Sequence, residues 1–244
     1  MTPEKQHELA DRFDLAFGKM NYLLNIDEAR RIVYHETPKV ACTSIKKYMI
    51  DQASGAPVEM EPRKVHDRSA SPLRMLDSYS DAEIDAMFSP DGGYRHFCFV
   101  RDPYSRVLSA YLDKLMTNEW ERKRHLPMFG FKPDARPQFV EFLRRLSRRP
   151  DRERDIHYMT QARLTGRLAG FETSYIGHFE NFKHDFLKLK LELFGDSEGE
   201  DYQQFGKHHS SGADDKTAEY YGEEERALVR DIYAVDFAVY GYAL

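Results

Sequence analysis

Two stretches of this chain carry residue types that hold phosphate-like anions, each where a strand should give way to a helix. The first runs Ile32-Val33-Tyr34-His35-Glu36-Thr37-Pro38-Lys39-Val40-Ala41-Cys42-Thr43-Ser44-Ile45-Lys46. A helix starting near Thr43 would offer unpaired backbone N–H groups and the positive end of its dipole to an anion. Lys39 adds a mobile cation, and Thr43 and Ser44 add hydroxyl donors. The layout is that of a phosphate-binding loop, but the nucleoside-triphosphate form, G-x-x-x-x-G-K-[ST], is missing: the loop has no Gly, and its Lys precedes the hydroxyls by four and five residues. An ordinary ATPase or kinase is therefore disfavoured. A cysteine-dependent phosphatase is too, because neither Cys42 nor Cys98 is followed at the required spacing by a phosphate-holding Arg. Both cysteines read as structural.

The second stretch is Phe97-Cys98-Phe99-Val100-Arg101-Asp102-Pro103-Tyr104-Ser105-Arg106-Val107-Leu108-Ser109-Ala110-Tyr111. Asp102 is a good N-cap and Pro103 suits the first helical position. Arg101 then stands at the carboxyl end of a strand with Ser109 about two turns into the helix, a planar donor fork and a hydroxyl that together could cradle a phosphate.

The elements that must position these residues alternate. Strands are expected at 31–35, 94–100 and 174–178. Helices are expected at about 4–20, 43–51, 81–88, 104–119, 139–148, 179–194 and 223–233, with mostly loop at 53–72 and 195–215. Such alternation argues for an α/β fold with a mostly parallel sheet, whose ligands gather at the carboxyl ends of the strands. With 244 residues and no internal repeat, the chain reads as one folding unit, 1–30 being a helical extension and 31–244 the core.

Composition narrows the function classes. Hydrophobic residues make up 41% and charged residues 32%, enough for a large core. The 36 basic and 41 acidic residues give a net charge of −5, so nucleic acid is not an expected partner. No apolar run is long enough to span a bilayer, the first residues lack a secretory apolar segment, and only two cysteines occur. A cytoplasmic protein is the expectation, with no metal site because the histidines show no metal-ligand spacing. Charge is uneven: 143–154 holds six Arg against two acids and 196–201 is nearly all acidic. The Arg run at 144–154 reads as a solvated helix face that could also meet an anionic sugar.

Taken together, the two junctions resemble the carbohydrate sulfotransferases related to the HNK-1 and chondroitin 4-O enzymes. TPKVACTSIKK is similar to that family's Pro-Lys-x-x-x-[ST]-[STN] loop, and FVRDPYSRVLSAYLDK to its F-V-R-D-P-[FY]-x-R-x-x-S-A-Y block, in the same order and about sixty residues apart. YIGHFENFKHDF and the closing EYYGEEERALVRDIYAVDFAVYGY are similar to later family segments, so the resemblance runs from about Ile32 to the end.

The resemblance implies a P-loop NTPase-like three-layer fold, its central sheet flanked by helices. It also implies transfer of a sulfuryl group from 3′-phosphoadenosine 5′-phosphosulfate (PAPS) to a hydroxyl of a glycan, glycolipid or glycoside, without a metal. Pro38, Lys39, Val40, Ala41, Cys42, Thr43 and Ser44 would hold the 5′-phosphosulfate, with Lys39 also stabilising the leaving group. Arg101 and Ser109 would hold the 3′-phosphate. The acceptor's proton needs a base, and His66 is favoured over His157; Asp155 and Glu180 are weaker candidates. Lys207, His208, His209 and Ser210 could close over nucleotide. The rival readings are a P-loop kinase, a non-catalytic nucleotide-binding module, and a transferase with a protein or lipid acceptor.

Overall fold

The computed structural model describes residues 1–197 and 213–244. The chain divides into two compact units, Met1–Val100 with the stretch from Arg163 onward, and Arg101–Ala162 with the C-terminal stretch.

The first unit carries the sheet. Its elements are α1 (Pro3–Phe13), α2 (Phe17–Leu23), β1 (Leu24–Asp27), β2 (Ile32–His35), α3 (Cys42–Ser54), α4 (Asp81–Met87) and β3 (Arg95–Val100). The order of the four strands is β1-β2-β3-β4, β4 being Tyr175–His178. β1 runs antiparallel to β2, while β2, β3 and β4 are mutually parallel, with His35 opposite Cys98 and Val100 opposite His178. The carboxyl ends of the three parallel strands thus share one edge, as an α/β fold requires. β2 and β3 are buried almost throughout, which explains their continuous apolar and aromatic composition. Ile32, Tyr34 and Phe97 from the sheet pack with Ile45 and Tyr48 of α3 and with Phe186 of α9 (Phe182–Leu189).

One expectation is corrected here, and the structure adds detail at two further places. The N-terminal helix is two helices, because Asp14 turns the chain into the left-handed region (φ 46°) and takes the Arg163 guanidinium on its carbonyl and carboxylate. β1 has no strand-like sequence, since its Asn25 and Asp27 are buried polar groups satisfied by Arg68 and Arg30. The 53–72 loop contains short 3-10 turns, including Lys64–His66 and Arg68–Ala70.

The second unit is helical: α5 (Pro103–Tyr111), α6 (Glu119–His125), α7 (Phe139–Ser147), the start of α8 (Gln161–Leu164), α10 (Ala213–Tyr220), α11 (Glu223–Ile232) and α12 (Ala234–Tyr240). The expected helix at 104–119 opens into a π turn at Leu112–Thr117, where the Thr117 hydroxyl donates to the Leu112 carbonyl at 2.9 Å. The aromatic tail forms α12, which buries Phe237 and Tyr240. Val107 and Leu108 of α5 pack with Phe142 and Leu146 of α7 and Val229 of α11. Among the described residues no helix is long and apolar enough to cross a membrane.

Candidate active site

In the first unit, the segment after β2 builds an anion cradle without glycine. Lys39 (φ 71°) and Ala41 (φ 50°) both adopt left-handed backbone conformations, which side chains rarely do. The turn they make places Ala41 as the N-cap of α3, with no side chain capping the helix. The first amides of α3, at Cys42, Thr43 and Ser44, therefore point out of its end with no acceptor inside the helix. Lys39 is half-buried beside them, Pro38 and Val40 are buried beneath, and the buried hydroxyl of Thr37 has no hydrogen-bond partner among the described residues. This donor set suits a phosphate or sulfate group. The Cys42 thiol is not activated by it: burial and the neighbouring Glu36 push its pKa up to about 11. Burial likewise pushes Cys98 up to about 12.

His66 meets this loop. Its Nε2 lies 3.0 Å from the Thr43 hydroxyl and its Nδ1 3.8 Å from Glu36 Oε1, and the ring keeps about a third of its surface exposed (32%). Val65 anchors the 3-10 turn that carries it, and the next turn is fixed by Arg68, which donates to the carbonyls of Leu24 (3.1 Å) and Arg74 (3.2 Å). Glu36 is buried and accepts from Lys46 Nζ at 2.9 Å. Burial works against its charge, but Lys46, His66 and Arg68 outweigh it and hold the carboxyl below its usual range. An ionised Glu36 facing Nδ1 favours the proton there and leaves Nε2 able to accept one. Glu36 and Lys46 were not singled out by sequence reasoning. Their pairing spans ten residues and a loop, so no local spacing announces it.

In the second unit, Arg101 follows β3 directly and is buried. Its backbone is gripped on both sides by one side chain: Arg101 N–H donates to Gln161 Oε1 and Gln161 Nε2 donates to the Arg101 carbonyl, each at 2.8 Å. Gln161 is held in turn by Asp236, whose carboxylate accepts the amides of Gln161 (2.8 Å) and Ala162 (2.9 Å). Burial outweighs those two hydrogen bonds and raises the Asp236 pKa to about 6. The Arg101 guanidinium donates from Nε to Ser105 Oγ at 3.0 Å, and Asp102 caps α5 by accepting from Ser105 N–H. Ser109 is buried two turns along the same helix. Arg106 serves the framework, donating to the carbonyls of Met159 (2.7 Å) and Ile156 (3.3 Å). Tyr221 and Tyr233 of the closing segment donate to the carbonyls of Tyr104 and Tyr158, which ties that segment to the arginine block. Gln161, Asp236 and Ser105 were missed because each acts through a partner distant in sequence or through the helix turn.

The other candidates separate. His157 Nδ1 lies 2.6 Å from Asp155 Oδ1 in the second unit. Burial opposes the charge of Asp155, yet its bonds to His157 hold the carboxyl well below its usual range. Glu180 lies in the turn Phe179–Asn181 ahead of α9. The Arg run is largely engaged within its own unit: Arg144 forks onto Glu224 at 2.7 and 2.8 Å, Arg145 reaches the Phe129 carbonyl, and Arg154 the Arg149 carbonyl. Lys207, His208, His209 and Ser210 lie outside the described residues, as does most of the 195–215 loop. Among the described residues, two groups bring His, Cys and acid donor atoms within 4.8 Å of one another, Glu36/Cys42/His66 and His125/Asp155/His157.

A profile described as "Sulfotransferase family" matches residues 22–243. Human carbohydrate sulfotransferase 9 is 24% identical over 278 aligned residues, covering 99% of this chain and 60% of that protein. Human carbohydrate sulfotransferase 10 is 32% identical over 179 residues, covering 65% of this chain and 49% of that protein. Human carbohydrate sulfotransferase 8 is 25% identical over 244 residues, covering 89% and 55%. The chain thus spans about half to three-fifths of the length of these curated relatives. No solved structure matches it.

Proposed function

Because the chain belongs to the sulfotransferase family, we propose that it transfers a sulfuryl group from PAPS to a hydroxyl of a carbohydrate acceptor, releasing adenosine 3′,5′-bisphosphate. The observation that carries the reading is the contact between His66 Nε2 and Thr43, a residue of the glycine-free cradle at the start of α3. It puts a proton acceptor within one hydrogen bond of the group that would hold the donor's phosphosulfate.

The donor supplies an activated sulfur: an acceptor oxygen bonds to it as the bond to the bridging oxygen breaks. This chain's residues do the rest. The α3 amides, Thr43 and Ser44 bind the 5′ end, and Lys39 neutralises charge gathering on the bridging oxygen. His66 Nε2 takes the acceptor's proton, and the buried carboxylate of Glu36 stabilises the imidazolium that forms. Arg101 and Ser109 hold the 3′-phosphate, the group that separates this donor from ATP. The carbohydrate acceptor rests on what the relatives' names state they act on.

Calorimetry with adenosine 3′,5′-bisphosphate, ATP and ADP tests the donor site. Wild type should prefer the bisphosphate, and Lys39→Ala and Arg101→Ala should each weaken binding by about 1.5–3 kcal/mol, the scale of a charge-assisted hydrogen bond. Tighter binding of Mg-ATP would sink the reading. Labelled PAPS offered to glycans, glycolipids, proteins and lipids then assigns the acceptor class, with His66→Ala and His157→Ala as the paired test of the base.

A further inference from the structure

An open cleft of about 330 Å³ lies within the second unit, between the end of α5, the start of α7 and the corner from α10 to α11. None of the residues assigned above to the donor lines it. Tyr111 and Phe139 are buried at its floor, and half-buried Tyr220 forms one wall. The Tyr220 ring meets both others at a steep angle, its centroid 6.0 Å from each, tilted 66° to Tyr111 and 86° to Phe139. Two such contacts fix the plane of the Tyr220 ring. The Tyr111 hydroxyl donates to the Pro137 carbonyl at 2.8 Å, which pins the neighbouring lip, and the Tyr221 hydroxyl donates inward to the Tyr104 carbonyl.

Three charged side chains complete the lining. Arg136 is exposed, and its Nη1 donates to the carbonyls of Asp134 (3.2 Å) and Ala135 (3.1 Å), which leaves Nε and Nη2 for a ligand. Glu225 Oε2 accepts the Gly222 amide at 2.9 Å where α11 begins, which steadies the carboxylate and leaves Oε1. Glu219 is exposed on the last turn of α10. An aromatic face beside carboxylate acceptors and a guanidinium donor matches a sugar, whose ring has an apolar C–H face and whose hydroxyls both donate and accept. The volume stands at the low end for small-ligand clefts, about 300–1,000 Å³, and suits a short sugar segment. Two carboxylates against one guanidinium give the rim a net charge that opposes an anionic sugar. Ser109, assigned to the donor's 3′-phosphate, lies two residues before Tyr111 on α5. Residues two apart project about 200° from each other around a helix, so the cleft lies on the other flank of α5 from that phosphate and serves the acceptor, not the nucleotide.

We infer that this cleft is a subsite for a neutral pyranose of the acceptor and that it rejects uronate sugars. Tyr220 is the platform on which the ring stacks, Glu219 and Glu225 accept from its hydroxyls, and Arg136 donates to them. The inference deepens the carbohydrate-acceptor reading and rests on it. It also moves the choice of sugar charge away from the Arg run, where Arg144 is already forked onto Glu224, to an acidic rim. Aromatic rings with carboxylates fit an organic cation as well, but Arg136 on the same rim repels one.

The test is ligand-observed saturation-transfer NMR on the full chain. The neutral probes are the methyl glycosides of glucose, galactose, N-acetylglucosamine and N-acetylgalactosamine; methyl glucuronide is the anionic probe and tetramethylammonium the cationic one. At least one neutral glycoside should receive saturation on its ring C–H protons, and the two charged probes should receive little. Tyr220→Ala should weaken that binding about two- to ten-fold, the scale of one aromatic contact, while Tyr220→Phe keeps it. Glu219→Gln, at an exposed position, should admit methyl glucuronide. All three variants should keep the far-UV circular dichroism and the bisphosphate affinity of wild type, which shows that they are folded. For a sugar that is sulfated, Tyr220→Ala should raise KM by the same factor. A neutral sugar that is sulfated, but whose binding and KM ignore both Tyr220→Ala and Glu219→Gln, overturns the subsite and leaves the acceptor reading standing. Neutral glycosides held through Tyr220 by a chain that sulfates no sugar overturn the acceptor reading and uphold the cleft as a sugar site. Binding of no neutral glycoside, or preference for tetramethylammonium, overturns the subsite.

Discussion

Ala41 holds a conformation that costs a residue with a side chain about 1 kcal/mol, and it holds it at the N-cap of α3, beside the amides proposed to bind the donor's phosphosulfate. Glycine would sit there without strain, although it loses more freedom on folding. Ala41→Gly should therefore keep or raise the denaturation midpoint, while Ala41→Val should lower stability by about 1 kcal/mol or more and weaken bisphosphate binding. A clear loss of stability in the glycine variant would contradict the strain. At the base, Glu36→Gln removes the charge that faces His66 Nδ1 but leaves Lys46 without its partner. Breaking that buried pair should cost roughly 3–5 kcal/mol of stability. Glu36→Gln should also shift the acidic limb of the pH–rate profile downward, because the imidazolium loses a stabilising charge. An unmoved limb would remove Glu36 from the mechanism. Lys39, Thr43 and Ser44 were legible in the sequence through their spacing after a β-branched strand. Glu36 was not, since its role depends on Lys46 and Arg68, which only the fold brings to it.

At the level of elements, β3 and β4 depend on one missing side chain. A Cβ on Gly177 would stand 2.2 Å from the Phe99 ring, so Phe99 crosses the neighbouring strand only because residue 177 is glycine. Gly177→Ala should destabilise the protein by about 1–3 kcal/mol, read by chemical denaturation, and Phe99→Leu should recover part of the loss. If Gly177→Ala is as stable as wild type, the two strands are not packed as described. The loop ahead of α8 depends on polar grip instead. Gln161→Leu strips both backbone groups of Arg101 of their partners. It should weaken bisphosphate binding as well as stability, by about 1–3 kcal/mol for each buried group left unsatisfied. Strands made of β-branched and aromatic runs, such as β2 and β3, and helices with an N-cap signal, such as α4 and α5, were readable in advance. β1 was not, because Asn25 and Asp27 fit a buried strand only through arginines elsewhere in the chain. The split of the expected 104–119 helix was not readable either: nothing in LDKLMT distinguishes a π turn from one more α turn.

For the whole molecule, buried titratable groups make the two units answer acid differently. In the first, His96 Nε2 donates to the Met87 carbonyl at 2.9 Å, so neutral His96 must use Nδ1 to accept from His35 Nε2, also at 2.9 Å. Burial pushes His96 down to about 4, and burial with the neighbouring His96 pushes His35 well below its usual range. The unfolded chain protonates both below about 6.5 while the folded unit does not. The stability of this pair is therefore present above pH 6.5 and is lost as pH falls toward 4, by up to roughly 3 kcal/mol for His96 alone. In the second unit His125, lowered to about 4 mainly by burial, works in the same direction. Asp236 works in the other: with its pKa raised to about 6, the folded unit keeps a proton that the unfolded chain releases above about 3.8, so its contribution grows as pH falls from 6. Between pH 6.5 and 4.5 the first unit should thus lose more stability than the second. Hydrogen exchange in metal-free buffer reads this directly: peptides covering β2 and β3 should lose protection on going from pH 7 to 5, while those covering α12 lose little or gain. A His35→Phe/His96→Phe variant, less stable at pH 7, should show a flat response in β2 and β3 over the same range. Equal losses in both units, or a variant as pH-sensitive as wild type, would mean that the histidine pair is not what acid attacks.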